Sequence, residues 1–331
     1  MQKFAEVWLS IWPRVARVKH SPLLLLVILL ASCGDAPDPA ADKPREVPPG
    51  IIADGAKWQA PVEGLIYVSG IDGDADGNVY FAESYLNRVY RIDPDQNVSL
   101  LDENSAMTVD VKLGPDGLLY ACRNLDAQIV RYSKSGEREV LLQGELTPVP
   151  EPDKPGEFCN DIEINLDGGV WFSDRVNRQV MYMSPDGSVR SVASGFRPNG
   201  LALSVDRQIM VVTDSEAPVL HAFKVEANGD LTEQPGFFDP LRTPTGKRAA
   251  ASRGKPGTNS IAVDSESRFY VATFYGIQVF SREGRYLGVL DIPGSTLFYN
   301  SSLAFGGAGE QYLYAGGRGG IERAQVLVHG G

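Results

Sequence analysis

The chain has 331 residues, of which 43% are hydrophobic and 22% are charged, and its formal net charge is −11. This balance excludes an intrinsically disordered chain, and the excess of acidic residues excludes a surface that follows nucleic-acid phosphates. We therefore expect a globular protein with a sizeable core and no nucleic-acid partner.

The first predicted element is the apolar run from Leu23 to Leu30, which follows three basic residues. It is too short for a membrane-spanning helix, which needs about 20 apolar residues, and its position is typical of a secretory signal. The run ends in L-A-S-C, which resembles the lipobox of bacterial lipoproteins. We predict a lipoprotein-type signal peptide over residues 1–32 and a lipid on Cys33, with an ordinary cleaved signal as the alternative.

Residues 33–58 begin with a stretch rich in Pro, Ala and Asp, which favours an extended, solvated tether. We expect a bacterial cell-envelope protein, periplasmic or on the outer surface, that meets the membrane through its N-terminal lipid only. Without residues 1–32 the chain keeps 27 basic and 41 acidic residues, a formal charge of −14. Cys122 and Cys159 then remain in the domain, either as one disulfide or as two buried thiols.

From residue 59 to residue 328 one pattern returns along the chain. A small polar residue is followed by an alternating apolar strand, a turn with Asp or Gly, and a strand rich in aromatic and β-branched residues. The six repeats start at Ser69, Val109, Asn160, Asn199, Asn259 and Ser301.

The starts are 40, 51, 39, 60 and 42 residues apart. Short strands that repeat with a period near 40 indicate a β-propeller with one four-stranded blade per repeat. No sustained helical period competes with this interpretation. The sequence predicts an all-β, six-bladed β-propeller over residues 59–328, closed by a strand from the stretch KWQAPVEGLIYV.

Three segments, NDIEINLDGGVWFSD, FRPNGLALSVDRQIMVVTDS and YLGVLDIPGSTLFYNSSLAFGG, carry a family likeness. They resemble successive blade motifs of the gluconolactonase, senescence-marker-protein (regucalcin) and LRE-like family, whose members are six-bladed propellers that hydrolyse lactones. The resemblance implies a lactonase-like carboxylic-ester hydrolase that acts on a small molecule, a lactone or related cyclic ester, at the mouth of the central channel.

The resemblance also implies a divalent metal, most often calcium, at that mouth. The family ligands are a Glu from an EGP motif, an Asn from PNG and an Asp from PDG, with a further Asn from ND nearby. In this chain Asn199 fits PNG and Asn160 fits ND, whereas Ser69 stands at the Glu and Asn259 at the Asp. The implied metal ligands are thus Asn199, Asn259 and Asn160, a neutral set of oxygens.

An Asn amide cannot act as a general base, so proton transfer would fall to another residue. Asp161 and Asp110, which occupies the same place in the preceding repeat, are the candidate catalytic residues. Asn160, Ser69 and Arg123 are the candidates for substrate binding, although an Arg at a strand end also suits a solvated surface.

Two alternatives remain open. The loss of charged ligands at Ser69 and Asn259 also suits a non-catalytic ligand-binding or interaction propeller. Separately, DGDADGNVYFAE from Asp72 to Glu83 matches the calcium-loop template D-x-D-x-D-G-x5-E. Its flanks read as strands, not helices, which favours a hairpin turn over a calcium loop.

Overall fold

Antiparallel β-sheets are the main secondary structure of the part of the chain that the structure, a computed structural model, describes: residues 47–53, 55–149, 156–244, 255, 257–291 and 300–331. The predicted signal peptide, Cys33 and the first part of the predicted tether lie outside these residues. The described helical segments are short 3₁₀ turns at Ser84–Leu86 and Ala308–Glu310. Within the described ranges, no helix has the length and hydrophobicity that a membrane crossing requires.

The strands form six four-stranded sheets, confirming the predicted six-bladed propeller. The first strand, β1, is Gln59–Val62. Blades 1 to 3 follow as β2 Val68–Gly73, β3 Val79–Glu83, β4 Arg88–Ile92, β5 Val98–Asp102; β6 Thr108–Leu113, β7 Leu119–Arg123, β8 Gln128–Tyr132, β9 Arg138–Gln143; β10 Ile162–Ile164, β11 Val170–Asp174, β12 Gln179–Met183 and β13 Val189–Ser194. Blades 4 to 6 are β14 Pro198–Leu203, β15 Ile209–Asp214, β16 Leu220–Val225, β17 Leu231–Glu233; β18 Ile261–Val263, β19 Phe269–Thr273, β20 Gly276–Phe280, β21 Tyr286–Leu290; β22 Asn300–Gly306, β23 Tyr312–Gly317 and β24 Gly320–Gln325, completed by β1.

The inner strands β2, β6, β10, β14, β18 and β22 contact one another in that order, and β22 returns to β2. They therefore surround a common axis, as the repeat pattern predicts. The ring closes because β1 pairs antiparallel with β24, so that blade 6 combines strands from both ends of the domain. We call the face at which the inner strands start the upper face.

The alternating pattern of the inner strands divides their side chains between two neighbouring blades. One residue at the same position in each strand is an aliphatic side chain at most 4% exposed, within the hydrophobic clusters between blades: Ile71, Val111, Ile162, Leu201, Ile261 and Leu303. The residues on either side of it point the other way, towards the following blade and the channel. Period-two patterning thus supplies both core and channel lining.

Part of the predicted tether packs on the propeller, so the expected extended segment does not reach residue 58. Ile51 is fully buried in the core of blades 5 and 6, and Ile52 forms a β-bridge with Val326. The indole Nε1 of Trp58 donates to the carbonyl of Asp291 at 3.0 Å. Apolar side chains in this stretch gain more from burial than from solvation, which explains the difference.

Cys122 in β7 and Cys159, just before β10, form a disulfide with their Cα atoms 6.0 Å apart. Both residues are buried in the cluster between blades 2 and 3. The structure thus resolves the alternative left open by the sequence in favour of the bridge.

The calcium-loop match from Asp72 to Glu83 is a β-hairpin, as its flanks predict. Asp72 pairs with Tyr80 across β2 and β3, and Val68 pairs with Glu83 at the far end of the hairpin. In the turn, Asp74 accepts hydrogen bonds from the backbone and side chain of Asn78. Because Glu83 lies at the opposite end from this turn, the template residues do not surround one point.

Candidate functional site

Each inner strand begins with a β-bulge at the upper face, where two residues of the inner strand oppose one of its neighbour. The first bulge residue is the predicted repeat start in every blade. We call this set the mouth ring; it comprises Ser69, Val109, Asn160, Asn199, Asn259 and Ser301. The repeated bulge brings the predicted site residues of separate blades to one end of the channel.

Amide groups connect the mouth ring across blades 3 to 5. Nδ2 of Asn160 donates a short hydrogen bond to Oδ1 of Asn199. Nδ2 of Asn199 donates to the carbonyl of Thr258 at 2.9 Å, which fixes the orientation of the Asn199 amide. Asn259 follows Thr258, and its side chain makes no hydrogen bond with another described residue. On the other side of the ring, Oγ of Ser69 donates to the carbonyl of Thr108 at 3.2 Å.

The second bulge residues form a middle ring, directly below the mouth ring: Gly70, Asp110, Asp161, Gly200, Ser260 and Ser302. The members with described polar contacts reach the next blade. Asp110 accepts from the backbone N–H of Ile162 at 3.1 Å, and Asp161 accepts from that of Leu201 at 3.2 Å. Asn160 and Asp161 therefore both contact β14, one through its amide and one through its carboxylate.

A lower ring is formed by the residue two positions further along each inner strand. Its side chain is charged in blades 1 to 3 and is that of alanine in blades 4 to 6. Its members are Asp72, Lys112, Glu163, Ala202, Ala262 and Ala304. Nζ of Lys112 lies 3.5 Å from Oε2 of Glu163, and Asp72 accepts from the N–H of Leu113 at 2.8 Å. The Lys112 side chain keeps 29% exposure, so solvent reaches the channel at this level.

Burial governs the protonation of the channel carboxylates. It raises the pKa of Asp161 to about 8, against the opposing effects of the Leu201 N–H and the Lys112 ammonium. Burial and the neighbouring Asp161 charge also raise the pKa of Asp110 well above its usual range. Burial thus favours the protonated form of both carboxyl groups.

Lys112 stays charged in this channel. Burial alone would lower the pKa of its ammonium group, but Asp72 and Glu163 outweigh that effect and raise it. Burial also raises the pKa of Asp72. Lys112 is thus a cation set among four carboxylates of blades 1 to 3.

Arg123, predicted to bind substrate, is buried between blades 1 and 2. Its guanidinium contacts Asp102 at 3.4 Å and Asp126 at 2.7 Å and donates to the carbonyl of Asn104. Asp102 also accepts from Tyr132 of blade 2. These bonds join blades 1 and 2 through a buried, paired charge. Arg123 is therefore not the solvated surface residue that was the alternative interpretation of the sequence.

The calcium site implied by the resemblance can be judged from the donors present. The mouth ring supplies no carboxylate, and the Asn199 oxygen already accepts from Asn160. Asp110 and Asp161 are engaged with backbone N–H groups, in surroundings that disfavour their charge. Within the described ranges, no group of three or more His, Cys, Asp or Glu side chains could hold a metal ion. These residues do not fit a tightly bound calcium, which requires several charged oxygens.

Sequence reasoning missed the lower ring. Asp72, Lys112 and Glu163 each lie two residues after the second bulge residue of their repeat, and the same register puts Ala202 in blade 4. A charged residue at a position expected to face the protein interior was the available signal.

The comparisons with known proteins agree with this architecture. The SMP-30/Gluconolactonase/LRE-like region matches residues 63–316. Lactonase drp35 of Staphylococcus haemolyticus is 27% identical over 251 residues, which cover 70% of each chain. A gluconolactonase structure from Xanthomonas campestris has a TM-score of 0.68 at 21% identity and covers 86% of this chain and 95% of that one. The calcium-binding protein regucalcin of Agrobacterium tumefaciens has a TM-score of 0.65 at 15% identity, over 83% of this chain and 96% of that one. By its family match, as the sequence motifs predicted, the chain belongs to the SMP-30/gluconolactonase/LRE-like family.

Proposed function

We propose that this protein is a carboxylic-ester hydrolase that opens a lactone or related cyclic ester at the mouth ring. One observation carries the proposal: Asp161, a buried carboxylate whose pKa is raised to about 8, directly follows the mouth-ring amide of Asn160. A proton-transfer group is most effective when its pKa lies near the working pH. The names of the relatives, lactonase and gluconolactonase, support the same reaction class.

In this mechanism Asp161 moves a single proton. Its ionised form takes a proton from the water that attacks the lactone carbonyl carbon. The ring C–O bond then breaks, and the same proton passes from Asp161 to the departing alkoxide oxygen, which releases a hydroxy acid. Asp110 lies in the same channel, and the charge of ionised Asp161 raises the pKa of Asp110, so Asp161 is the carboxyl that ionises first.

The amides of the mouth ring bind the carbonyl. Asn160 uses one N–H on Asn199, and its second N–H remains for the lactone oxygen, where negative charge develops. The Asn259 side chain offers further donors from blade 5. The reaction requires no step through a metal ion, in line with the poor fit of these donors to calcium.

Kinetics of the purified full-length protein in detergent test the proposal. Wild type is expected to open members of a panel of aliphatic and sugar lactones, and Asp161→Asn to lower kcat by about 10²- to 10⁴-fold. Asp186→Asn, at an exposed hairpin turn, serves as the matched control and should retain full activity. Full activity in Asp161→Asn would refute the role given to this carboxylate.

The pH dependence supplies a second readout. Because Asp161 acts as a base only when ionised, kcat/KM should rise with pH and level off above about 8. The uncatalysed hydrolysis rate is measured and subtracted at each pH. A profile that is flat from pH 6 to pH 9 would exclude Asp161 as the base.

A second candidate function is a ligand-binding propeller without catalysis. The mutual hydrogen bond of Asn160 and Asn199 favours it, since a neutral amide funnel can bind a carbonyl without activating water. Inactivity of wild type across the lactone panel, together with thermal stabilisation by a lactone, would favour this function over hydrolysis.

We also propose that the protein acts at the bacterial cell envelope. The Cys122–Cys159 disulfide supports this location because disulfides persist in oxidising compartments. If Cys33 carries the lipid, Cys33→Ser should move the protein from the membrane fraction to the soluble fraction. A membrane-bound Cys33→Ser protein would contradict the lipid anchor.

A further inference from the structure

A buried carboxylate lies beneath the upper face of blade 1. Glu83 ends β3 and is 0% exposed. Its oxygens accept hydrogen bonds from the backbone N–H groups of Ile66 at 2.7 Å, Tyr67 at 2.9 Å and Tyr85 at 3.2 Å. One carboxylate thus fixes residues from two loops, the one that enters β2 and the one that follows β3.

The side chains of these three residues form an apolar patch. Ile66 is 48% exposed and Tyr85 is 60% exposed. The Tyr67 and Tyr85 rings stack with centroids 5.1 Å apart and planes 17° apart. An anchored group of exposed apolar side chains is typical of a binding surface.

The Tyr85 loop is also held from below. The N–H of Ser84 donates to the carbonyl of Tyr67, and Asn87 ends the 3₁₀ turn in a left-handed conformation with φ 56°. The side chain of Asn87 accepts from the N–H of Met107 at 2.5 Å. The patch is therefore preorganised, so that binding of a ligand costs little conformational entropy of the protein.

The patch lies close to the mouth ring along the chain. Tyr67 precedes Ser69 by two residues, so their Cα atoms are at most about 7 Å apart. We propose that Ile66, Tyr67 and Tyr85 form an aromatic platform that binds an apolar or aromatic substituent of the substrate, and that Glu83 is its positioning residue. This proposal rests on the proposed lactone-binding function and adds the class of lactone: one with a flat apolar substituent beside the ring.

A pair of lactones tests the platform. γ-Phenyl-γ-butyrolactone and γ-butyrolactone share one ring and differ by the phenyl group. Aromatic stacking contributes about 0.5–1.5 kcal/mol, so wild type should show a KM about 3- to 10-fold lower for the phenyl lactone. Tyr85→Ala should remove this preference with kcat unchanged within about twofold, whereas Tyr85→Phe, which keeps the ring, should retain it.

Two further variants separate the platform from a general effect. Glu83→Gln replaces an acceptor by a donor that faces backbone N–H groups, so it should also lose the phenyl preference. Leu166→Ala removes an exposed apolar side chain, 69% exposed, from a turn at the opposite face and should change nothing. If Leu166→Ala loses the preference as strongly as Tyr85→Ala, the platform is refuted.

Binding of a lactam that resists hydrolysis keeps the two proposals distinguishable. 5-Phenyl-2-pyrrolidinone and 2-pyrrolidinone are titrated into the full-length protein by calorimetry. If no lactone is opened but the phenyl lactam binds more tightly and Tyr85→Ala abolishes the difference, the hydrolase proposal fails and the platform stands. Equal binding of the two lactams by wild type, or an unchanged preference in Tyr85→Ala, overturns the platform.

Discussion

The lower ring has two unlike halves. In blades 1 to 3 the lower ring carries Asp72, Lys112 and Glu163, whereas the same positions in blades 4 to 6 are all alanine. Buried charges persist only when they compensate one another, and Lys112 does so for its carboxylate neighbours. The three alanines are at most 6% exposed and belong to the hydrophobic clusters between blades. Electrostatics therefore determines the packing at this level in blades 1 to 3, and apolar contact determines it in blades 4 to 6.

The middle ring joins adjacent inner strands in two ways. Asp110, Asp161 and Ser260 each accept a hydrogen bond from the next inner strand. At Gly70 and Gly200 the strands approach directly, because a Cβ at either position would overlap the backbone of the next blade. A side chain that bonds and a glycine that admits close contact are alternative solutions at one repeat position.

The largest loss of stability is expected from a substitution that blocks the close approach of two adjacent inner strands. In Gly200→Ala the new methyl would overlap the carbonyl of Asn259 and lie 2.9 Å from Cα of Ser260. Overpacking of this kind against backbone costs about 3 kcal/mol of unfolding free energy, measured by chemical denaturation. Gly117→Ala, with φ 70° and open space around it, is the control and should cost only about 1 kcal/mol of conformational strain. Equal costs would show that blade contact at Gly200 is not tight.

A smaller loss of stability is expected when the positive charge of Lys112 is removed. Lys112→Gln leaves Glu163 and Asp72 without their cation and should cost on the order of 2 kcal/mol, below the value for a fully buried pair because Lys112 is partly solvated. Adding Glu163→Gln should recover much of the loss. If the double variant is no more stable than Lys112→Gln, the 3.5 Å contact is not the stabilising interaction.

The contrast between the halves also shows what the sequence could predict. Repeat spacing and strand alternation are local, so they sufficed for six blades, for closure through β1 and for the convergence of Asn160 and Asn199. Lys112 and Glu163 are 51 residues apart in the sequence, and their contact depends on how blades 2 and 3 pack together. No local sequence pattern encodes the distance between these two side chains. The same holds for Arg123, whose partner Asp102 belongs to another blade.

Asp161 allows a pH-dependent comparison. Its pKa is raised from 3.8 to about 8 in the folded protein, so the folded state binds more protons than the unfolded state between these values, and stability falls as pH rises. Asp161→Asn removes this penalty. The variant's stability advantage should therefore grow as pH rises, by about 1 kcal/mol between pH 7 and pH 8 in denaturant titrations. An advantage that is constant or shrinks with pH would mean that this carboxylate is not held protonated.

The smallest effect is expected from metal removal, because the mouth ring contains no charged side chain. A chelator should shift the Tm of wild type by less than about 1 °C, since a ligand that does not bind the folded state cannot stabilise it. A double variant, Ser69→Glu with Asn259→Asp, adds two carboxylates to the amides of Asn160 and Asn199 and should gain stabilisation by calcium. A large chelator effect on wild type would show that neutral donors suffice here, and would return the metal to the mechanism.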